Sequence, residues 1–394
     1  MKINELKRKF IDIYGGKEDG IRVFSSPGRV NLIGEHTDYN GGYVFPAALT
    51  LCSKVAVRPR KDRKVNLIAA DLNKLVTADL DRLDEYRKLE WGNYQLGVAD
   101  ELQKSGLQLV GCDMLFDDQV PLGAGLSSSA AIEIAAALAF KAVSNPSVEN
   151  GSGDMIELAK LAQRAENRYV GVNCGIMDQF ASAMGKKDHA IFLNCRNMEY
   201  KYVRLKLDGY KIVISNTNKK RSLADSKYNE RRSECEKGLE QLKEYFPEIK
   251  CLGELIYEGV VDKMEKLGDN VIKQRLMHVI SENDRVIKSV KALEENDIAS
   301  FGRLMIQSHE SLRDLYEVTG YELDSLVEEA LKIQGVIGSR MTGAGFGGCT
   351  VSIVRDDAVE RFIFDVGENY YRKTGLRASF YISEIGDGGR EIIV

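Results

Sequence analysis

The sequence predicts an α+β protein of two domains, in which mixed or antiparallel sheets pack against helices. At 394 residues, the chain is longer than one hydrophobic core usually organises, so two domains are expected. Residues 43–80 contain segments in which apolar and polar side chains alternate, which is typical of strands. Residues 155–165 and 250–335 have the spacing of amphipathic helices, and the charge-rich residues 222–245 are also predicted to be helical.

Composition restricts the partners and the compartment. The net charge of −4 argues against nucleic acid or an anionic membrane surface as a partner. The seven cysteines are odd in number and widely spaced, without a Cys-x-x-Cys pair, which fits neither a disulfide framework nor a structural zinc site. The N-terminal residues lack a signal-peptide pattern, and no apolar run approaches the ~20 residues of a membrane span. We therefore expect a cytoplasmic protein with reduced thiols.

The first elements lead to a polar segment between two predicted turns. Residues 1–20 predict a short helix that ends near Gly15, and residues 22–25 predict a brief strand. One turn is predicted at Pro27-Gly28 and another at residues 40–42. The polar side chains between them are Arg29, Glu35, His36 and Asp38. This set is unconvincing for zinc but suits the hydroxyls of a polyol, which need several hydrogen bonds at fixed angles; a solvated surface turn is the alternative.

Residues 121–129, Pro-Leu-Gly-Ala-Gly-Leu-Ser-Ser-Ser, predict a phosphate-binding loop. A strand at residues 112–116 leads into the loop, and the apolar residues 130–140 predict a buried helix after it. The N-terminus of such a helix is a fixed anion site. The loop is not a Walker A motif, because it lacks the lysine, and it lacks the Gly-x-Ser-x-Gly of a hydrolase elbow. A serine N-cap on a core helix remains the alternative.

Two carboxylates follow the loop. After a Gly-Ser-rich break at residues 151–153, Asp154 is predicted to cap a helix, and Glu166 lies near its C-terminal end. The helix dipole disfavours a carboxylate there, which a bound cation would offset; a surface glutamate is the alternative. Asp178 precedes a short helix and stands among apolar residues, so it is either an N-cap or a carboxylate beside a substrate hydroxyl.

The C-terminal part contains Gly-x-Gly-x-x-Gly at residues 343–348. A dinucleotide fingerprint has to follow a strand and open a helix, whereas residues 349–354 predict a strand after the glycines. The Rossmann interpretation is therefore rejected. A helix at residues 359–373 and terminal strands complete the chain, and His309 is interpreted as structural.

Several segments resemble a known family. Residues 28–42 resemble the signature of galactokinases, and residues 121–130 match the phosphate-binding motif of the wider GHMP kinase superfamily. Residues 339–349 resemble the third GHMP motif, and residues 174–180 also resemble galactokinases. The resemblance implies the two-domain GHMP kinase fold, with an N-terminal domain at 1–200, a C-terminal domain at 201–394 and the active site in the cleft between them.

The resemblance also implies a reaction and its residues. The γ-phosphoryl group of ATP would pass to the anomeric hydroxyl of α-D-galactose, giving galactose 1-phosphate and ADP, with Asp178 as proton acceptor and Arg29 stabilising the transferring group. The implied sugar-binding residues are Glu35, His36, Thr37, Asp38, Gly175 and Tyr228. The implied ATP-binding residues are Gly123, Ala124, Gly125, Leu126, Ser127, Ser128 and Ser129, with Trp91 beside the adenine.

Magnesium is the implied cofactor, held by Ser129 and Glu166, because one hydroxyl, one carboxylate and phosphate oxygens suit this ion. The expected partners are galactose and ATP, and a monomer is expected. A kinase of a related sugar such as N-acetylgalactosamine, or a galactose sensor without activity, are the alternatives. The complete segment 35–42 favours galactose, and the intact serine loop favours catalysis.

Overall fold

The computed structural model describes residues 1–72, 74–87, 89–145, 154–219 and 224–393. The helices are α1 Ile3–Tyr14, α2 Asn93–Lys104, α3 Ser128–Ser144, α4 Met155–Ala165, α5 Met177–Met184, α6 Ala224–Leu242, α7 Tyr257–Met264, α8 Asn270–Glu294, α9 Ile298–Ser311, α10 Tyr321–Leu331 and α11 Val359–Thr374. The strands are β1 Arg22–Asn31, β2 Tyr43–Val44, β3 Pro46–Pro59, β4 Lys64–Ala69, β5 Lys74–Asp79, β6 Cys112–Asp118, β7 His189–Asn194, β8 Tyr200–Arg204, β9 Tyr210–Asn216, β10 Val336–Thr342, β11 Cys349–Arg355, β12 Ser379–Ser383 and β13 Arg390–Glu391.

The strands form three sheets. The largest has the order β13-β1-β3-β6-β4-β5, and it is mixed because β4 and β6 run parallel while its other pairs are antiparallel. A four-stranded antiparallel sheet has the order β10-β11-β9-β12, and a small sheet has the order β2-β7-β8. The pairing of β13 with β1 returns the end of the chain to the N-terminal sheet. The predicted α+β class is confirmed.

Two hydrophobic cores determine where the cleft lies. In the first, helix α3 packs on the large sheet and helices α2 and α4 pack against α3, with Phe140 of α3 and Val57 of β3 fully buried. The second core joins both halves of the chain, because Ile33 and Phe45 share it with Phe301 and Val351. Residues in a protein core are packed as densely as in an organic crystal, so they have little freedom to move. The shared core therefore fixes the polar segment after β1 relative to the C-terminal helices.

Strand β1 differs from the prediction of a turn at Pro27-Gly28. The strand continues through these residues to Asn31, and its pairing with β3 shifts register between Pro27 and Arg29. A strand tolerates proline at such an irregularity, because a ladder hydrogen bond is already missing there. A Cβ added to Gly28 would lie 2.5 Å from the carbonyl oxygen of Leu126, so this glycine allows the predicted phosphate loop to pack on β1.

Most of the predicted boundaries are confirmed. Helix α1 ends at Tyr14 with Gly15 as its C-cap, and Asp154 caps α4 by accepting from the backbone N–H groups of Ile156 and Glu157. Strand β11 follows the glycine turn, as the rejection of the Rossmann interpretation requires. The Gly-Ser-rich break at residues 151–153 lies outside the described residues. Among the described helices, none combines the length and the apolar character that crossing a membrane demands.

Candidate active site

A cleft of about 740 Å³ lies where β1, the loop before α3, the segment before α5, helix α6 and the glycine turn after β10 meet. The loop before α3 turns through left-handed backbone conformations at Gly123, Gly125 and Ser127, whose φ angles are 68°, 78° and 62°. Such a φ is uncommon for a serine, and it brings the start of α3 to the cleft. The first N–H groups of α3 have no intrahelical acceptor, so this helix end can bind an anion.

Arg29 connects the loop to Asp178. Its guanidinium Nη1 donates to the carbonyl oxygen of Gly125 at 2.7 Å, and its Nη2 lies 2.7 Å from Asp178 Oδ1. Ser127 Oγ donates to Asp178 Oδ2 at 2.6 Å. The Arg29 side chain is 5% exposed and that of Asp178 is 29% exposed, so the carboxylate faces the cleft while its partner is buried. A cation and a carboxylate are therefore fixed beside the phosphate loop.

The N-cap interpretation of Asp178 is wrong. Helix α5 begins at Met177 and its N-cap is Ile176, so Asp178 is the second residue of the helix. Its oxygens are directed to Arg29 and Ser127 rather than to the helix N–H groups. The geometry thus leaves the alternative of a carboxylate placed beside a bound substrate.

Glu166 lies at the end of α4, buried rather than on the surface. Its carboxylate is hydrogen-bonded to the hydroxyl of Ser129 and accepts from Gln179 Nε2 at 2.6 Å. Gln179 Nε2 also donates to the fully buried Glu133 at 3.0 Å. Burial, and then the negative charge of Asp178, raise the pKa of Glu166 to about 7. A cation at this position would favour the ionised carboxylate.

Glu35 is held by three groups. Asn31 Nδ2 donates to its Oε2 at 2.9 Å, and its Oε1 accepts from the backbone N–H of Gly343 at 2.8 Å and lies 3.3 Å from Arg340 Nη1. The Arg340 side chain is fully buried. Charge-assisted hydrogen bonds of this kind fix the orientation of a carboxylate. The glycine turn therefore anchors the polar segment of the N-terminal part.

Asp38 and Gly175 are in close contact. A Cβ added to Gly175 would lie 1.8 Å from Asp38 Oδ2, so only glycine allows this approach. Burial, and then the charge of Asp178, raise the pKa of Asp38 to about 6. The carboxylate remains largely ionised at neutral pH, and it can accept hydrogen bonds from substrate hydroxyls.

His36 contacts both neighbouring parts of the cleft wall. Its Nδ1 lies 2.8 Å from the hydroxyl of Tyr39, and its Nε2 lies 3.2 Å from the carbonyl oxygen of Ala344. The ring centroid lies 5.6 Å from that of Tyr228. Burial, with a smaller contribution from His278, lowers the pKa of His36 to about 3. The imidazole is therefore neutral near pH 7.

The structure brings most of the predicted site residues into the cleft. Those that line it are Arg29, Glu35, His36, Asp38, Gly123, Gly125, Ser127, Ser128, Ser129, Glu166, Gly175, Asp178 and Tyr228. Four others do not line the cleft: Thr37, Trp91, Ala124 and Leu126. Thr37 is fully buried, and its hydroxyl is hydrogen-bonded to the carbonyl oxygens of Gly34 and Tyr43. Trp91 packs against the first core.

Sequence reasoning did not single out several residues that line the cleft. Tyr94 lies three residues after Trp91 and reaches the cleft from the first turn of α2. Asn173 and Asn229 also line it, next to segments that the motifs had identified. Each lies within three residues of a predicted position in the chain, and this proximity was the one available signal.

Comparison with known proteins gives matches along the whole chain. The galactokinase galactose-binding signature matches residues 8–59, the N-terminal domain of GHMP kinases matches residues 93–186, and the C-terminal domain of GHMP kinases matches residues 289–372. A galactokinase of Clostridium tetani is 49% identical over 392 residues, covering 100% of this chain and 98% of that protein. A galactokinase of Clostridium acetobutylicum is 50% identical over 393 residues, covering 99% of each chain.

Solved structures agree with these matches. The crystal structure of Lactococcus lactis galactokinase complexed with galactose superposes with a TM-score of 0.94 at 41% identity, covering 99% of each chain. The mevalonate kinase of Methanococcus jannaschii superposes with a TM-score of 0.66 at 18% identity, covering 94% of this chain and 100% of that one. The second likeness extends the shared fold to distant kinases.

Proposed function

The chain belongs to the galactokinase family of GHMP kinases, and on that premise we propose that it transfers the γ-phosphoryl group of ATP to the anomeric hydroxyl of galactose. The products are galactose 1-phosphate and ADP. The observation that carries the proposal is the contact of one carboxylate, Asp178, with both Arg29 and the phosphate-loop residue Ser127.

Positioning and charge neutralisation supply most of the catalysis in phosphoryl transfer. The loop from Gly123 to Ser129 and the N-terminus of α3 bind the ATP phosphates. Arg29 is fixed between the loop and Asp178 at 2.7 Å from each, so it stabilises the negative charge on the transferring group. Asp178 accepts the proton of the attacking hydroxyl, and its two hydrogen-bonded oxygens keep it oriented toward the cleft.

The sugar lies on the other side of Asp178. Glu35, Asp38, the backbone at Gly175 and Tyr228 surround it, and the carboxylate oxygens accept hydrogen bonds from its hydroxyls. His36 belongs to the same wall through its contact with Tyr228. Thr37 supports the turn that carries His36 and Asp38, since its hydroxyl shares its single proton between the carbonyl oxygens of Gly34 and Tyr43.

Magnesium is the proposed cofactor, and the residues present fit it. The hydroxyl of Ser129 is hydrogen-bonded to the carboxylate of Glu166, which brings two oxygen donors together at the start of α3. Hard oxygen donors, few from the protein and the rest from phosphate and water, suit this ion. When bound, magnesium neutralises charge on the ATP phosphates. Ser129 and Glu166 would hold it.

We also propose that residues 1–200 and 201–394 form the two domains and that the protein acts as a monomer. The cleft is lined by residues of the first proposed domain, such as Arg29 and Asp178, and by residues of the second, such as Tyr228 and Gly343. A single chain therefore supplies residues of both proposed domains to the cleft.

Identification of the product tests the proposed function. The purified protein is incubated with magnesium-ATP and galactose, and the products are followed by ³¹P NMR. We expect ADP and one sugar phosphate whose phosphorus couples to the anomeric proton. A sugar phosphate esterified at another hydroxyl, or ADP without any sugar phosphate, would contradict the proposal.

A further inference from the structure

Behind the sugar site, hydrogen-bonded side chains connect His36 to helix α6. Tyr39 Oη lies 2.8 Å from His36 Nδ1 and 2.8 Å from the hydroxyl of Tyr316. The hydroxyl of Tyr316 in turn lies 3.1 Å from Cys235 Sγ. Tyr316 is fully buried and Cys235 is 1% exposed. We call the four side chains His36, Tyr39, Tyr316 and Cys235 the His36 chain.

The direction of every hydrogen bond in the His36 chain follows from one end. The carbonyl oxygen of Ala344 can only accept, so His36 Nε2 carries the proton and donates to it. A neutral imidazole then has an unprotonated Nδ1, which accepts from the hydroxyl of Tyr39. Because each tyrosine has a single proton, Tyr316 donates to Tyr39 and the thiol of Cys235 donates to Tyr316.

Asn40 links the last residue of the His36 chain, Cys235, back to the first, His36. The side chain of Asn40 is hydrogen-bonded to Cys235, and its Nδ2 donates to the backbone carbonyl oxygen of His36 at 2.9 Å. The backbone of His36 is left-handed, with a φ of 60°, a conformation that residues other than glycine adopt at an energetic cost. Hydrogen bonds at both the ring and the backbone therefore hold a conformation that the residue does not favour.

The consequence concerns Tyr228. Both ring nitrogens of His36 have protein partners, and the rings of His36 and Tyr39 lie 5.6 and 5.3 Å from the ring of Tyr228. We propose that Tyr39, Tyr316 and Cys235 are positioning residues, which fix His36 as its Nε2–H tautomer and through it hold Tyr228 against the sugar. This inference deepens the proposed function and rests on it.

Removal of single hydroxyls tests the inference in the full-length protein. In Tyr39→Phe and Tyr316→Phe we expect the KM and the Kd for galactose to rise about tenfold, while kcat and the KM for ATP change less than about threefold. Tyr370→Phe is the matched control. Like Tyr316, Tyr370 is fully buried, and it donates one hydrogen bond, to the carbonyl oxygen of Thr217 at 2.8 Å, in another core.

Cys235 provides a conservative pair. Cys235→Ser keeps a proton donor and should bind galactose within about threefold of the wild type, whereas Cys235→Ala should bind as weakly as Tyr316→Phe. This pair also keeps the inference testable if a tyrosine variant does not fold.

The tautomer is measured independently of activity. The chain has four histidines, so the ¹⁵N ring resonances of His36 can be assigned by substitution. We expect an unprotonated Nδ1 and a protonated Nε2, with the Nδ1 resonance moving in Tyr39→Phe but not in Tyr370→Phe. A protonated Nδ1, or tyrosine variants that bind galactose as tightly as the control does, would overturn the inference. If the wild type does not phosphorylate galactose, the proposed function fails. The NMR result still decides the tautomer of His36 and the direction of the hydrogen bonds in the His36 chain.

Discussion

Substitution of Gly175 by alanine should weaken the use of galactose without unfolding the protein. The new Cβ would lie 1.8 Å from Asp38 Oδ2 and 2.2 Å from its Cγ. Asp38 Oδ2 would have to move by about 1.6 Å before the two atoms reach an ordinary contact of 3.4 Å. Gly175 is not among the residues with positive φ, so alanine adds no backbone strain there.

The expected size follows from that displacement. A misplacement of about 1 Å in an active site can cost about 100-fold in rate, which corresponds to about 2.7 kcal/mol of transition-state stabilisation. We therefore expect kcat/KM for galactose to fall about 100-fold in Gly175→Ala, measured as ADP release with saturating magnesium-ATP. The KM for ATP should stay within about twofold, because the contact involves only the sugar side of the cleft.

Two comparisons isolate the contact. In an Asp38→Ala background the same change should cost little, since the atoms that the Cβ meets are absent and the two effects are not additive. Gly259→Ala is the control substitution, because Gly259 is exposed in α7 with no atom within 4 Å of an added Cβ. It should leave activity unchanged and stabilise the helix by about 0.5 kcal/mol. Gly175→Ala with a wild-type KM and kcat for galactose would refute the geometric reasoning.

Three further predictions concern the carboxylates of the cleft and Arg29. Asp178→Asn and Arg29→Ala should each lower turnover by about 10² to 10⁴-fold while circular dichroism shows that the protein stays folded, and near-normal turnover in either variant would remove its assigned role. Asp38→Asn should weaken galactose binding more than about tenfold, yet it should raise the free energy of unfolding at pH 7–8. The folded-state pKa of Asp38 is raised from 3.8 to about 6. Ionised Asp38 therefore lowers the stability of the wild type above pH 6, and this loss of stability disappears below pH 3.8. For a fully buried carboxyl this loss of stability would be about 3 kcal/mol, and exposure of Asp38 to the cleft reduces it to about 1–2 kcal/mol. The same pH dependence of unfolding in the wild type and in Asp38→Asn would contradict the account. Glu166→Gln should raise the magnesium concentration needed for half-maximal activity at least about tenfold, and an unchanged magnesium titration would show that this carboxylate holds no cation.

The sequence predicted well those features that depend on local physics. The apolar residues 130–140 predicted the buried helix α3, and the glycines and serines before it predicted a loop at its N-terminus. The resemblance to galactokinases predicted a role for Asp178 beside Arg29, and the structure has the two side chains 2.7 Å apart. A bulk pattern and a local motif were sufficient for these inferences.

Long-range packing determined what the sequence did not predict. Strand β1 passes through Pro27-Gly28 because the phosphate loop, about 100 residues later in the chain, packs against Gly28. Tyr39 and Tyr316 are 277 residues apart in sequence, so no local pattern indicates their hydrogen bond. Trp91 and Tyr94 both pack partly buried against the first core, but Tyr94 also lines the cleft whereas Trp91 does not, a difference that the local sequence does not indicate.

The most direct test of the central claim is ADP release by the wild-type protein with magnesium-ATP, measured against galactose, N-acetylgalactosamine, glucose and mevalonate. The account predicts strong turnover with galactose and at least about 100-fold lower kcat/KM with the other three. Preferred turnover of another acceptor would contradict the assignment of Glu35, Asp38 and Tyr228 to galactose, although the phosphate loop would keep its role. Saturable galactose binding without ADP release from any acceptor would contradict catalysis itself.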